Sequence, residues 1–221
     1  ELHIAQITIV GDAQIPLSPR PHQDIDITDT RLADYVARKR HLFLRNSRLA
    51  ATLRFRSFLT GSLHNWFRSH GFLEFAAPIL TPVPLYEDET AVSLRIGTSD
   101  VFLTQCVGFY LEAAAAAFER VYNLGPSFRA AESHSPRHLM EYWHVKCEVA
   151  YATLDDLMQL AENMLMSVDQ ETVEHFASNP ADAQVLTHQQ FPSLPFPRVR
   201  YQEAIDTLQR RGVEARFGYT L

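Results

Sequence analysis

Two arginines and a histidine flank a polar loop in the middle of the chain. Arg129 precedes the loop, and Arg137 and His138 follow it. A guanidinium group binds two oxygens of a carboxylate or phosphate in one plane, whereas a lysine acts as a point charge. These residues could therefore hold an anionic substrate. Taken alone, an arginine such as Arg129 is also typical of a surface salt bridge.

Other kinds of site have little support in the residue types. Cys106 and Cys147 are too few for a disulfide framework, and both are typical of small buried hydrophobic residues. The ten histidines are scattered, and no Cys and His group has the spacing of zinc ligands. No glycine-rich phosphate loop of the Rossmann or P-loop type occurs. Reduced thiols indicate a cytoplasmic protein.

Composition and charge favour a globular chain with a sizeable core. Of the 221 residues 46% are hydrophobic, and the net charge is −6. A negative chain argues against a general nucleic-acid-binding surface, although a local patch could still contact RNA. The seven Lys and Arg residues between Arg38 and Arg56 are typical of a solvated helix face. No stretch approaches the roughly 20 apolar residues of a membrane span, and no leader is evident.

The first residues are expected to belong to a different structural unit from the rest. Residues 2–10 are rich in β-branched side chains and predict a strand. Residues 11–29 have the composition of a linker, with Gly11, prolines and aspartates. We expect the strand to be the last of a domain that mostly precedes Glu1.

The remaining chain alternates helices with short strands. Predicted helices span 48–70, 108–120, 153–176 and 201–211, predicted strands span 72–75, 101–104, 120–124 and 141–151, and loops are expected at 86–100 and 178–196. Pro78 and Pro82 place the first of these strands at an edge or interface. The Gly125-Pro126 pair is expected to end the third strand, and Thr153 with Asp156 forms a capping box. This order predicts an α+β fold.

Several stretches resemble the catalytic domain of class II aminoacyl-tRNA synthetases of the asparaginyl and aspartyl type. Val121 to Trp143 reads V-Y-N-L-G-P-S-F-R-A-A-E-S-H-S-P-R-H-L-M-E-Y-W and resembles motif 2, whose family form is G-P-x-F-R-A-E, a loop, and R-H-L-x-E-F/Y-W. The helix that ends at Gly71 and the F-L-E-F-A-A-P-I-L-T-P of residues 72–82 resemble motif 1. Leu103-Thr-Gln and Tyr110-Leu-Glu resemble the amino-acid pocket pattern L-T-Q-S-x-Q-L-Y-x-E.

This resemblance implies a fold and a domain order. It implies an antiparallel sheet flanked by helices, with motif 1 at about 48–82 and motif 2 at about 121–151. Residues 31–221 would form the synthetase-like catalytic domain, 18–30 a linker, and 1–17 the last strand of an OB-like domain. The activity implied is ATP-dependent activation of Asn or Asp as an adenylate, with ATP and Mg²⁺ as cofactors. A homodimer is expected, and tRNA is a possible partner that the charge does not support.

The resemblance also implies roles for individual residues. Arg129 would bind the substrate carboxylate and the α-phosphate, as the catalytic residue. The other implied positions are Glu132, Arg137, His138 and Leu139 for ATP, Gln105, Gly108, Tyr110 and Glu112 for the amino acid, Pro78 for the dimer interface, and Glu148 for a metal ion.

Several positions and segments depart from the family pattern. Ala131 replaces the motif 2 Glu, and Gly108 replaces a Gln of the amino-acid pocket. The acidic pair after the tryptophan reads Lys146-Cys147-Glu148, so one carboxylate is replaced by a cation. The loop at 86–94 lacks the family's glycines. Nothing after Ala204 resembles motif 3, so we expect the sheet to be incomplete and the sequence to be cut at both ends.

Three functions are compatible with these observations. The first is an AMP-forming asparagine– or aspartate–tRNA ligase-like enzyme. The second is a class II paralogue that ligates amino acids with ATP but without tRNA, as the altered pocket suggests. The third is a non-catalytic dimeric pseudo-synthetase, since the motif 2 Glu and motif 3 are missing.

Overall fold

The computed structural model confirms an α+β chain. It describes residues 5–8, 10–11, 25–84, 90–130, 139–183, 191 and 193–213. The chain divides into two compact units, of which unit 1 comprises Glu1–Ser62 with Thr172–His188 and unit 2 comprises Leu63–Glu171 with Gln189–Leu221.

The elements follow one another in an order close to the predicted one. A 3₁₀ turn at Thr30–Leu32 precedes the helices α1 (Ala33–Arg38), α2 (Arg40–Phe43), α3 (Ser47–Ser69), α4 (Gly108–Phe118), α5 (Leu154–Ser178), α6 (Pro180–Ala183) and α7 (Tyr201–Arg210). The strands are β1 (Leu73–Glu74), β2 (Leu80–Thr81), β3 (Ser93–Ile96), β4 (Ser99–Leu103), β5 (Arg120–Phe128) and β6 (Glu141–Val149).

A small helical core holds unit 1 together. Val36, Phe43 and Leu49 are buried against one another. Asn46 caps the start of α3, because its Oδ1 accepts the amides of Arg48 and Leu49 at 3.1 and 3.2 Å. The same side chain donates to the carbonyl of Ile25 at 2.9 Å and so fixes the preceding segment.

Within the described residues, unit 2 is built from two three-stranded sheets and two apolar clusters. In the first sheet β5 lies between β1, which is parallel to it, and β6, which is antiparallel. In the second sheet β4 lies between β2 and β3. One cluster contains Trp66, Phe67, Phe72 and Tyr122, and the other contains Val107, Leu111, Ala114, Ala115 and Val121. Neighbouring side chains on a strand point to opposite faces. Tyr122 and Val121 therefore place one cluster on each face of the first sheet.

Several predicted features are confirmed. The first long helix, α3, lies within one residue of its predicted bounds, and Gly71 follows it with a φ of 77°. The proline-flanked strand β1 is an edge strand. Thr153 and Asp156 form the capping box of α5, since Oδ2 of Asp156 accepts the Thr153 amide at 2.8 Å.

The predicted strand at residues 2–10 is wrong for the part that the structure describes. Residues 5–8 and 10–11 belong to no strand, and Ile7 and Val10 are exposed. A single strand is stable only when a neighbour pairs with it. The β-branched residues of this segment have no such neighbour among the described residues.

Residues 93–100 form a hairpin, so the loop predicted at 86–100 is wrong for this part. β3 pairs with β4 from Ser93 opposite Phe102 to Ile96 opposite Ser99. Gly97 takes a φ of 61° at the first position of the two-residue turn. Such turns need positive φ, which glycine adopts without strain. The polar composition of the segment reflects an exposed hairpin.

The predicted break at Gly125-Pro126 is also wrong, because β5 continues to Phe128. The amide of Phe128 donates to the carbonyl of Thr104, and the carbonyl of Tyr122 accepts from the amide of Phe75. Phe128 and Tyr122 therefore direct their backbone groups away from β6. Pro126 lies in the same alternating register, and its missing N–H therefore removes no bond to β6. The connection predicted at 178–196 contains the short helix α6.

Candidate active site

One face of the β5–β6 pair carries a row of polar and charged side chains, which we call the polar face. In the antiparallel register Ser127 lies opposite Tyr142, Gly125 opposite His144, and Asn123 opposite Lys146. Directly paired residues share a face, and residues two apart on one strand lie about 7 Å apart. His144, Lys146 and Glu148 therefore follow one another along the polar face, and Ser127 joins them from β5.

Arg129 lies at the end of this row. It follows β5, and its amide donates to the Met140 carbonyl at 2.9 Å, which continues the pairing by one step. The side chain is exposed to solvent. Its positive charge is one of the causes that lower the pKa of the His144 imidazole. The structure therefore brings the arginine of the motif 2 resemblance to the polar face.

His144 is held neutral on the polar face. Its Nδ1 lies 2.9 Å from the buried Ser127 Oγ. Burial, then the charges of Arg129 and Lys146, lower the pKa of His144 below its ordinary value of 6.5. The imidazole is therefore uncharged at pH 7. The positive charges of Arg129 and Lys146, on either side of this uncharged ring, favour the binding of an anionic ligand.

Lys146 contacts the start of α4. Its Nζ lies 3.3 Å from Cys106 Sγ and 3.7 Å from Glu148 Oε1. A Cβ added to Gly108 would lie 2.6 Å from the same Nζ. Two departures from the family pattern, Gly108 and Lys146, are therefore spatial neighbours, and the glycine leaves room for the ammonium group.

A cavity of about 400 Å³ lies beside α4. The predicted amino-acid-binding residues Gln105 and Tyr110 both line it. Gln105 is buried and donates to Thr90 Oγ1 at 2.9 Å, and Tyr110 Oη lies 2.9 Å from Thr81 Oγ1. Thr104 also lines the cavity; it is 1% exposed, and its hydroxyl has no hydrogen-bond partner among the described residues.

The other predicted positions are not brought together in this way. Glu112 is exposed on α4 and is not among the residues that line the cavity. Pro78 is exposed between β1 and β2, and Leu139 is exposed before β6. Glu132, Arg137 and His138, like Ala131, lie outside the described residues.

Comparison with known proteins decides the family. The family model for tRNA synthetases class II (D, K and N) matches residues 33–221. The chain belongs to this family. An asparagine–tRNA ligase from Koribacter versatilis is 35% identical to the chain over 195 residues, which cover 88% of this chain and 42% of that protein. For the asparagine–tRNA ligase of Pyrococcus abyssi the identity is 31%, over 99% of this chain and 49% of that protein.

A solved structure agrees with the sequence relatives. The crystal structure of asparaginyl-tRNA synthetase from Pyrococcus horikoshii complexed with asparaginyl-adenylate superimposes with a TM-score of 0.77 and 32% identity, over 88% of this chain and 44% of that one. The predicted class II α+β fold is thereby confirmed. The chain spans about half the length of the relatives that it matches.

Among the residues that the structure describes, no helix is both long and apolar enough to cross a bilayer. Those residues also contain no group of three or more His, Cys, Asp or Glu side chains placed to hold a metal ion.

Ser127, His144 and Cys106 are the residues of this site that sequence reasoning missed. Cys106 could have been found, because it stands where the quoted pocket pattern has a serine. For Ser127 and His144 the signal was weaker. Both residues alternate with apolar residues along their strands and lie on the polar face. Only the register of β5 against β6 shows that Ser127 Oγ lies 2.9 Å from His144 Nδ1.

Proposed function

We propose that this class II synthetase is an AMP-forming, asparagine–tRNA ligase-like enzyme that activates asparagine or aspartate with ATP. The observation that carries the proposal is the position of Arg129 at the end of β5, on the face that also holds Lys146 and the neutral His144. Relatives named asparagine–tRNA ligases, and a structural neighbour complexed with asparaginyl-adenylate, support asparagine as the first acid to test.

The chemistry needs fixed positive charge at the reacting phosphorus. A carboxylate attacks the α-phosphate of ATP, and both groups are anionic. Arg129 neutralises this charge through a planar guanidinium, and the bond from its amide to the Met140 carbonyl holds its backbone in place. We assign the outer phosphates to Arg137 and His138, with Leu139 and Glu132 at the remaining ATP contacts, as the motif 2 resemblance implies.

The acid would be bound next to the start of α4. Gln105 and Tyr110 support this assignment because they share the cavity of about 400 Å³. Gly108 lies at the border between that segment and Lys146. Glu112 is assigned to amino-acid binding only because the resemblance to class II synthetases implies it.

Magnesium would enter with ATP, and Glu148 is the carboxylate of the polar face that we assign to it. Its Oε1 already lies 3.7 Å from the ammonium of Lys146. One paired carboxylate is a poor site for an ion that prefers several oxygen ligands. We therefore assign no step of the proposed reaction to a magnesium ion held by Glu148.

The wider organisation follows the resemblance. We propose that residues 1–17 are the end of a preceding OB-like domain, 18–30 a linker and 31–221 the catalytic domain, in a cytoplasmic homodimer that contacts its partner near Pro78. Apolar side chains near this proline support the dimer, since Ile79, Leu80 and Val83 are 46%, 46% and 56% exposed. A tRNA acceptor is supported by the names of the relatives and opposed by the net charge of −6.

A ligase that works without tRNA is the second candidate. Lys146, which lies beside Gly108, stands where the family pattern has a carboxylate. This replacement changes the charge near the predicted amino-acid-binding residues and so favours the second candidate. Charging of tRNA by the full-length protein would decide in favour of the first candidate. Activation of an acid without charging of any tRNA would decide in favour of the second.

ATP–pyrophosphate exchange with the full-length protein tests the activation itself. Asparagine, aspartate and a panel of related acids should be compared. The variant R129A should reduce exchange about 100-fold or more, since one electrostatic contact in such a site contributes that much. The control R95A removes an exposed arginine that pairs with Asp100, and it should exchange like the parent. Exchange with no acid, or full exchange by R129A, would refute the proposal and leave a pseudo-synthetase.

A further inference from the structure

Two departures from the class II pattern lie side by side at the start of α4. The pattern has glutamine where this chain has Gly108, and a carboxylate where it has Lys146. A Cβ added to Gly108 would lie 2.6 Å from the Lys146 Nζ. The ammonium therefore occupies the space in which the glutamine side chain of the pattern would begin. An amide both donates and accepts hydrogen bonds, whereas an ammonium only donates them.

The charge at this point favours an anion. α4 has 11 residues, and no side chain caps its start at Val107. A helix carries a partial positive charge at its N-terminus, so the helix and the ammonium of Lys146 act on a ligand there with the same sign. Glu148 Oε1 lies 3.7 Å from Nζ, which is longer than a hydrogen bond. This loose ion pair offsets the positive charge only in part.

A buried hydroxyl in the adjoining cavity has no partner. Cys106 connects the two places, because its Sγ accepts from Lys146 Nζ at 3.3 Å and it lines the cavity of about 400 Å³. Thr104 lines the same cavity, is 1% exposed, and its hydroxyl has no hydrogen-bond partner among the described residues. Such a buried polar group is rare and indicates a place where a ligand or water completes the bonding. No described residue of the lining carries a negative charge that would repel an anion.

These groups distinguish an acidic side chain from its amide. The carboxylate of aspartate only accepts hydrogen bonds, which matches the ammonium of Lys146 and the hydroxyl of Thr104 as donors. The amide of asparagine has one accepting oxygen and two N–H donors, and it carries no charge to pair with the ammonium. Hydrogen bonds between ionised groups are about twice as strong as those between neutral groups. The site is therefore complementary to aspartate rather than to asparagine.

We infer that Lys146 is a specificity-determining residue of the proposed activation, and that it selects an amino acid whose side chain ends in a carboxylate over the corresponding amide. The inference rests on the proposed function, in which the acid binds next to the start of α4. It decides between the two acids that the proposed function names. It also separates this chain from its relatives named asparagine–tRNA ligases, because Lys146 stands where the family pattern has a carboxylate.

ATP–pyrophosphate exchange with the full-length protein measures the selectivity. Aspartate, asparagine, glutamate and glutamine are compared at saturating ATP, and kcat/KM is determined for each. The parent should favour aspartate over asparagine about 10-fold or more, since an ionic hydrogen bond contributes that much. Asparagine preferred by the parent would overturn the inference and leave the proposed activation standing. Exchange with no acid would refute the activation and the inference together.

Variants at position 146 test the residue itself. K146E restores the carboxylate of the family pattern and should reverse the preference, so that asparagine exceeds aspartate. K146Q supplies a neutral amide and should bring the ratio of the two kcat/KM values close to one. K39E changes the chain's other lysine, which is exposed, and should keep the ratio of the parent. A ratio that K146Q and K146E leave unchanged, in variants that melt at the temperature of the parent, would overturn the inference.

Thr104 gives a second test at the other side of Cys106. T104V keeps the shape of the side chain and removes its hydroxyl, so the KM for aspartate should rise about 10-fold. T104S keeps the hydroxyl and should have a KM close to that of the parent. Equal KM values for aspartate in T104V and T104S would overturn the placement of the substrate carboxylate beside Thr104.

Discussion

The ammonium of Lys146 occupies the space that a side chain at position 108 would need. A Cβ on Gly108 would come within 2.6 Å of Nζ, well inside van der Waals contact. The contact involves the end of a flexible side chain, so an added methyl group would displace the ammonium rather than unfold α4. We therefore expect positions 108 and 146 to be energetically coupled.

A double-mutant cycle tests this coupling. In the parent, G108A should stabilise the protein less than G61A does, because Gly61 lies within α3 with no atom near its Cβ position. An alanine in a helix is worth about 0.5–1 kcal/mol over glycine. With K146A, G108A should gain about 0.5–1 kcal/mol relative to its effect in the parent. Urea unfolding measures each value, and strict additivity of G108A with K146A would contradict the coupling.

The exposed apolar residues that follow Pro78 predict a concentration-dependent homodimer. Ile79 and Val83 are large, apolar and about half exposed. A charge at either position would be buried without a partner in an interface there. I79D and V83D should therefore be monomeric by light scattering at micromolar concentration, where the parent is dimeric. L154E changes a leucine at the start of α5 that is 72% exposed, and this variant should remain dimeric. A monomeric parent would contradict the interface.

The local parts of the fold were predictable because short-range chemistry determines them. Apolar residues recur at helical spacing along α3 and predict its buried face, namely Leu49, Leu53, Leu59, Leu63, Trp66 and Phe67. Leu49, Trp66 and Phe67 are buried, whereas Leu53 is 37% exposed. Thr153 and Asp156 make their capping box from residues three apart. Neither feature needs information about distant parts of the chain.

The features that were missed depend on partners far away in sequence. Pro126 is tolerated inside β5 because of the direction in which its neighbours bond, which only the sheet shows. The contact between Lys146 and Cys106 joins residues 40 positions apart. Cys106 was interpreted as a small buried hydrophobic residue, and burial was correct. Its neighbour could not be inferred from one sequence.

Glu162 ties the segment before α7 to α5. Its buried carboxylate accepts the Phe196 amide at 2.7 Å and pairs with Arg198 at 2.8 Å. Burial alone would raise the pKa of Glu162, but the bonds from Arg198 and Phe196 hold it below its ordinary value. E162A should therefore release the segment and speed hydrogen exchange of the Phe196 amide about 10-fold or more. R198A keeps the amide bond and should have a smaller effect. Unchanged exchange in E162A would show that other contacts hold the segment.

A polar network under β1 predicts how stability depends on acid. Tyr122 is fully buried, and its hydroxyl donates to Glu74 Oε2 at 3.2 Å. His64 Nδ1 lies 2.8 Å from the same hydroxyl, and Arg68 pairs with Glu74 at 2.5 Å. Burial alone would raise the pKa of Glu74, but the Arg68 bond, the charge of His64 and the Tyr122 hydroxyl lower it below its ordinary 4.5. The folded state therefore favours the ionised carboxylate.

The sign of the pH effect follows from that direction. A carboxyl group whose pKa is lower in the folded state stabilises the protein above its unfolded pKa, and this contribution is lost as the pH falls through the folded value. The free energy of unfolding should therefore differ between the parent and E74Q at pH 6 to 7, and the difference should shrink below the ordinary pKa of 4.5. Urea unfolding at a series of pH values measures it. D34N removes an exposed ion pair with Arg38 and should change stability little at pH 7. A difference for E74Q that stays constant down to pH 3 would mean that ionisation of Glu74 does not contribute, and that the network acts through its shape alone.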